Sequence, residues 1–264
     1  MPSDPSHRKK TNLFIALCAI FLTNAILAEI IGVKIFSLEA TLGMAPAQIR
    51  LFGGFILDFN LTAGAVIWPV VFITTDVINE YFGKKGVRKI SFLTALLIAY
   101  IFVVIYLVTK LAPAGFWIEL NNTDSDGNPF NINYGFGVIF RQGLGIIIGS
   151  LTAFLVAQLL DVFVFQRLKR LTGQKMLWLR ATGSTLVSQL IDSFVVLGIA
   201  FYLFGNWNLD QILAVGTINY IYKFVVAIIL TPVIYLAHHL IDRYLGPDLA
   251  QKMAEEAGKD VSVF

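Results

Sequence analysis

Six long apolar runs, joined by connections that are alternately basic and poor in basic residues, constrain this chain more than any other feature. The runs cover about 12–37, 61–82, 89–111, 137–166, 178–205 and 210–240. Each reaches the roughly 20 residues a helix needs to cross the hydrocarbon core of a bilayer. A segment in lipid must satisfy its backbone groups internally, and unbroken apolar runs of this length do so as helices. The sequence therefore predicts an all-α polytopic membrane protein with six transmembrane helices. A transmembrane domain, 12–245, lies between a short leading segment, 1–11, and a polar tail, 246–264, read as a frayed amphipathic helix. Composition agrees: 57% of the residues are hydrophobic and 14% charged, where a soluble domain carries about 25% charged.

The basic residues set the orientation. Arg8, Lys9 and Lys10 precede the first run; Lys84, Lys85, Arg88 and Lys89 lie between the second and third. Arg167, Lys169, Arg170, Lys175 and Arg180 lie between the fourth and fifth, and Arg243, Lys252 and Lys259 follow the sixth. If six helices alternate, all of these fall on one side, which predicts that both termini are cytoplasmic. A net charge of +3 placed in this way orients a membrane protein and does not suggest a nucleic-acid partner. The single cysteine, Cys18, excludes a disulfide framework. The opening MPSDPSHRKK leads into an apolar run too long for a signal peptide, so it reads as a retained first span. The 38–60 connection, with Gly53-Gly54, is open between a re-entrant and an interfacial segment. The turn-rich 112–136 connection is open between a surface loop and a partial lid.

Polar groups inside such runs are expensive in lipid and face the bundle interior or a water-filled cavity. Asp76, Asn79, Glu80 and Gly83 stand at i, i+3, i+4 and i+7 in TTDVINEYFGKKGVRK, so they share one helix face. Asp192 and Gln189 lie near the middle of the fifth span, and Lys223 and Asn219 near the middle of the sixth, beside Tyr220 and Tyr222. Asn24 and Glu29 lie in the first span, Asp76 and Asp161 in the inner halves of the second and fourth. Plainer readings stand beside each. Asp192 and Lys223 can be an ion pair that only fixes packing. Glu80 can pair with Lys84 on the rim, and Asp161 with Arg167. Trp68, before Pro69 at an expected kink, can be a stacking platform or filler. His238 and His239 are adjacent, so they point to different helix faces and make a poor metal site. Gly145 and Gly149 form a close-packing GxxxG face.

One internal similarity links two spans. Leu155–Val164 reads LVAQLLDVFV and Leu186–Val195 reads LVSQLIDSFV, an offset of 31 that aligns Gln158/Asp161 with Gln189/Asp192. Internal repeats are common in transporter folds; two apolar helices sharing common residues is the alternative. No catalytic constellation is present: there is no phosphate-binding lysine motif and no zinc ligand set. Ser184 and Ser188 have no nearby histidine to act as base. Neither an enzyme nor a cofactor is expected.

The segment DVINEYFGKKGVRK, preceded by Trp68-Pro69, resembles the D-x-x-N-E-x-x-G-K-x-x-x-R signature of the queuosine precursor transporter family, also called the vitamin uptake transporter family. RATGSTLVSQLIDSFVV, at 180–196, resembles that family's second signature, and the likeness spans roughly 12–245. The resemblance implies import of 7-cyano-7-deazaguanine or 7-aminomethyl-7-deazaguanine across the bacterial inner membrane for queuosine synthesis in tRNA. On that reading Asp192, Gln189 and Asn219 contact the base, with Asn24, Glu29, Tyr220 and Trp68 completing the site and Lys223 balancing its charge. Asp76, Asn79, Glu80 and Asp161 form an inner gate or coupling site. A forked carboxylate suits the adjacent donors of a guanine-type ring, an amide its carbonyl, and aromatic rings its faces. Related six-span proteins serve as substrate-binding subunits of energy-coupling-factor transporters, many with an A-x-x-x-A pair in the first span. Ala16, Ala19, Ala25 and Ala28 form no such pair, which argues against an ATPase partner and for a carrier acting alone. Homo-oligomerisation stays open.

Overall fold

The computed structural model describes residues 5–141, 143–173 and 175–259. Ten helices and four short strands follow one another along these residues. They are α1 (Pro5–Ile31), β1 (Ile35–Ser37), α2 (Leu38–Thr41), β2 (Ile49–Arg50), β3 (Ile56–Leu57), β4 (Asn60–Thr62), α3 (Trp68–Val108), α4 (Gly115–Leu120) and α5 (Ile132–Phe140). The chain continues through α6 (Leu144–Thr172), α7 (Leu177–Leu197), α8 (Leu209–Ile229), α9 (Thr231–Leu245) and α10 (Pro247–Lys259). Among the described residues five stretches are long and apolar enough to cross a membrane: α1, α3, Ile132–Thr172, Leu177–Leu203 and α8.

The difference from six runs arises in α3, whose 41 residues take in both the second and the third run. Inside it Gly83 leaves helical geometry, at φ 68° and ψ −172°. That region of backbone space is open essentially to glycine alone. Gly83 thus divides α3 into arms at 68–82 and 84–108. Other boundaries move for local reasons. The second run is helical only from Trp68, because β4 and a 3₁₀ turn, Ala63–Val66, come first. Pro69 sits in the opening turn of α3, where its missing N–H costs nothing, so it starts the helix and does not kink it. Pro232 likewise opens α9, ending the sixth run's first helix at Ile229.

Neighbouring contacts give the helix directions. Asp161 meets Ser188, Leu168 lies beside Gly183 and Gly149 beside Val196, so α6 and α7 form an antiparallel hairpin. Gly145 and Gly149 face the end of α7 and the π-helical turn Gly198–Leu203, where an added Cβ would clash. Trp68 meets Phe154, Thr75 meets Gln158 and Asn79 meets Gln166, so the first arm of α3 runs parallel to α6. Asp192 with Lys223 and Thr182 with Thr231 set α8, and the start of α9, antiparallel to α7.

The bundle is inverted relative to a soluble protein. Thr74, Thr75, Asp76, Asn79 and Glu80 are buried, whereas Leu96, Tyr100, Val103 and Leu107 on the second arm are exposed. Apolar exposure on this scale suits a lipid environment. The 38–60 connection forms two antiparallel ribbons, β1 with β4 and β2 with β3. Glu39 anchors it by accepting the Phe59 N–H at 2.8 Å, which holds its carboxyl below the usual range. In the 112–136 connection the Asp124 carboxylate accepts the N–H groups of Asn128 and Asp126, with the same effect. The segment after Gly246 is an ordered helix: α10 buries Ala250, Met253, Ala254 and Ala257, and Ala257 packs on Gly83. The start of α1 lies at the same end of the bundle. There Lys9 donates to the Leu245 carbonyl at 3.3 Å and Lys10 pairs with Glu256 at 3.8 Å.

Candidate functional site

The first arm of α3 together with α6, α7 and α8 lines a chamber in two adjoining parts. One is lined by Trp68, Phe72, Thr75, Phe154, Ala157, Gln158, Asp161, Thr185, Ser188, Gln189 and Asp192. The other shares Trp68, Phe72 and Thr185 and adds Asp76, Tyr222 and Lys223 on a mostly apolar wall. The aromatic side is a tier of rings: Trp68 stacks on Phe72 with centroids 5.9 Å apart and tilts against Phe154 at 5.8 Å.

The helical period explains how these residues meet. Phe154, Ala157, Gln158 and Asp161 stand at i, i+3, i+4 and i+7 of α6, so they share one face. Thr185, Ser188, Gln189 and Asp192 stand at the same steps of α7, each 31 residues on. All eight line the same part of the chamber. The two copies of the internal similarity therefore present equivalent faces to one space across the α6–α7 hairpin.

Lys223 and Asp192 form a partly buried ion pair between α8 and α7. Asp161 Oδ1 lies 3.3 Å from Ser188 Oγ, which shares its one hydrogen between that oxygen and Thr185 O at 3.0 Å, while the buried Oδ2 of Asp161 has no partner. Ser184 lies near the same carboxylate but gives its hydrogen bond to Ala181 O at 3.1 Å. Gln158 and Thr75 bridge α6 and α3 at 3.4 Å. Asp76, 1% exposed, lies within electrostatic reach of Asp161 and Glu80.

Six of the twelve residues singled out in the sequence thus line one chamber. Trp68, Asp76, Asp161, Gln189, Asp192 and Lys223 are on the walls. Glu29 is outside them: it accepts from Ser150 Oγ at 2.6 Å, within electrostatic reach of Asp192. Asn24 gives its amide to Ile20 O of its own helix at 2.8 Å. Asn219 is half-buried away from the chamber walls, and Tyr220 packs edge-on against Phe224. Tyr222, two positions on, lines the chamber instead.

Asn79 and Glu80 belong to a separate buried cluster at the Gly83 end of the first arm of α3. Arg180 makes a two-pronged contact with Glu80, Nε to Oε2 at 3.1 Å and Nη2 to Oε1 at 3.0 Å. Lys169 adds a third contact at 3.2 Å and donates to the Glu80 carbonyl at 2.9 Å. Asn79 accepts from Gln166 at 2.6 Å. Glu80 therefore bridges three helices and is not merely a partner for Lys84. Beside the cluster an open vestibule of about 1280 Å³ is lined by Tyr81, Arg180, His238, His239, Asp242 and residues of α10. In it Tyr81 donates to Asp242 at 2.6 Å and lies 3.1 Å from His238 Nδ1, while His239 is exposed. No group of three His, Cys, Asp or Glu among the described residues could hold a metal ion.

Phe72, Thr75 and Phe154 are chamber residues that the polar inventory of the spans passed over. Their signal was present. Trp68, Phe72, Thr75 and Asp76 follow i, i+4, i+7 and i+8, and Phe154 and Thr185 extend the two repeated faces by one turn.

A family model described as "Putative vitamin uptake transporter" matches residues 62–237, a span that contains every chamber residue. A Bacillus subtilis (strain 168) protein named "Probable queuosine precursor transporter" is 34% identical over 197 residues, 73% of this chain and 76% of that protein. A protein of the same name from Haemophilus influenzae is 32% identical over 66% of each chain. The "Queuosine precursor transporter" of Escherichia coli (strain K12) is 28% identical over 66% of this chain and 71% of that one. No solved structure matches. A family model covering two thirds of the chain, and a relative at 34% identity over three quarters of its own length, place the chain in one group: it belongs to the vitamin uptake transporter family.

Proposed function

We propose that this chain imports queuosine precursors, 7-deazaguanine bases such as the 7-cyano and 7-aminomethyl forms, across the bacterial inner membrane. The observation that carries this reading is the chamber itself. It combines carboxylate and amide groups, Asp161, Gln158 and Gln189, with a tier of stacked rings, Trp68, Phe72 and Phe154. That combination suits a planar base with donors along one edge. The names of the three relatives support the same substrate.

On this reading α1, the two arms of α3, Ile132–Thr172, Leu177–Leu203 and α8 are six spans, with both termini cytoplasmic. The transporter domain is 12–245, and 246–264 is a cytoplasmic element that docks back on it. The basic residues around Gly83 and Gly173 support that orientation. The chamber is the substrate site at middle depth. Asn79 and Glu80, with Arg180 and Lys169, are the inner gate, and the vestibule beyond them is the exit. Asp76 and Asp161 belong with the substrate site, because they share its walls.

The test is a bacterium unable to make the precursor, supplied with the base and expressing this chain. Queuosine returning to its tRNA supports the proposal; no queuosine at verified membrane expression overturns it. Purified chain in liposomes, with neither ATP nor partner, checks the second element: uptake of labelled base supports a carrier acting alone.

A further inference from the structure

Three chamber-lining side chains carry a buried oxygen with no hydrogen-bond partner: Asp76 Oδ1, Asp161 Oδ2 and Gln189 Oε1. Their residues are 1%, 6% and 4% exposed. All three atoms are acceptors. The other buried unpartnered side-chain atoms among the described residues, on Asn79, Ser91 and His238, are not on the chamber walls. The chamber therefore calls for a ligand that donates, since a buried acceptor left unpaired is costly.

The carboxylates divide in their availability. Asp192 is matched by Lys223. Among the described residues Asp161 meets no cation; Ser188 Oγ lies 3.3 Å from Oδ1, and Oδ2 has no partner. Ser188 is the chain neighbour of Gln189, so that contact brings the Gln189 segment of α7 against Asp161 of α6. Above both lies the ring tier of Trp68, Phe72 and Phe154. Helix rise adds a reason why depth alone misplaces Asp161. It stands 11 residues from the end of α6 and Asp192 stands 15 from the start of α7, at the same end of the hairpin. At about 1.5 Å per residue the two differ in depth by only about 6 Å.

We infer that Asp161 Oδ2 and Gln189 Oε1 are the paired acceptors that read the donor edge of the imported base, Asp161 its exocyclic amine and Gln189 the adjacent ring N–H, while Asp192 serves the ion pair with Lys223. This assignment rests on the importer reading above and deepens it. It makes the exocyclic amine the discriminating group: a base without it leaves one buried acceptor unpaired. Sites built on such groups reject analogues that lack the donor more strongly than sites built on apolar contact.

The experiment measures binding of 7-cyano-7-deazaguanine and of its counterpart lacking the 2-amino group to the purified full chain in nanodiscs. Wild-type protein is expected to prefer the amine-bearing base by about tenfold or more, the size of one lost charge-assisted hydrogen bond. In Asp161→Asn that preference falls to about threefold or less, and affinity for the amine-free base stays within about threefold of wild type. Retained amine-free binding shows the variant is folded. Wild-type protein that binds both bases equally overturns the assignment alone. Wild-type protein that binds neither overturns the importer reading and the assignment with it. An undiminished preference in Asp161→Asn overturns the assignment. If that variant binds neither base, Gln189→Leu tests the other half of the pair: about a tenfold loss of affinity for both bases with the preference kept supports the assignment, and unchanged affinity for both overturns it.

Discussion

Glu80 is a residue on which three helices, α3, α6 and α7, converge. A carboxylate 3% exposed, gripped by Arg180 and Lys169, is costly to bury but far more costly to break. Glu80→Ala leaves two cations facing each other without a counter-charge. It should destabilise the protein by about 3–5 kcal/mol, read as a lowered unfolding midpoint of the detergent-purified protein. Asp192 and Lys223 are coupled in the same sense but sit closer to open space. Asp192→Asn and Lys223→Met should each destabilise, and the double variant should cost less than their sum by about 0.5–3 kcal/mol. A thermal double-mutant cycle checks this, and strict additivity would show the pair contributes nothing. At this scale the sequence was informative about chemistry and less so about partners. Charges within apolar runs announced an interior, and the Asp192–Lys223 pairing could be read as one of two options. Asn24, Asn219 and Tyr220 show why the rest was not legible. A polar residue in a span must be satisfied, but it can be satisfied by its own helix, as Asn24 is by Ile20, and spacing alone does not distinguish this from a ligand site.

Gly83 governs the element scale. Its backbone lies where a side chain is strained, and an added Cβ would stand 3.2 Å from the Ala257 carbonyl of α10. Gly83→Ala should therefore cost about 1–3 kcal/mol in backbone strain and loosen α10. Faster cleavage of α10 by added protease, compared with wild type, checks the second effect; unchanged protection would mean that α10 docks without the elbow. The 112–136 connection carries a pH signature. The folded state holds the Asp124 carboxyl below its usual range through backbone N–H donors, chiefly that of Asn128. Its contribution is therefore complete above the ordinary carboxylate pKa and fades as pH falls through the lowered value. Amide exchange at Asn128 should stay protected into mild acid and rise only below the usual aspartate range. Existence of the long helices was legible from apolar length, whereas their ends were decided by Pro69, Pro232 and Gly83. Each is visible in the sequence, but its effect depends on where the first helical turn begins. The ordered α10 was harder to foresee. Its buried stripe of Ala250, Met253, Ala254 and Ala257 is short and weakly apolar, and only the complementary surface at Gly83 makes it a docking face.

At the scale of the molecule, polar groups gather inside and apolar side chains face outward, so orientation is the property most open to measurement. Reporter fusions at either end should register as cytoplasmic, and a cysteine placed in 121–128 should react with an impermeant reagent added outside intact cells. The reverse pattern at either probe would invert the proposed topology. The alternation of basic connections sets this expectation, because it depends on sequence order and not on packing. The convergence of the two 31-residue-spaced faces on one chamber depended on the antiparallel α6–α7 hairpin, which no one-dimensional pattern states. The docking of α10 has a consequence for how the protein is made. Ala257 lies 174 positions after Gly83, beyond every membrane-crossing stretch. During synthesis the elbow must therefore wait, uncovered, while the later helices are made, and it is covered only when α10 leaves the ribosome. A nonsense mutation beyond Gly246 would spare every one of those stretches and still leave the Gly83 elbow uncovered.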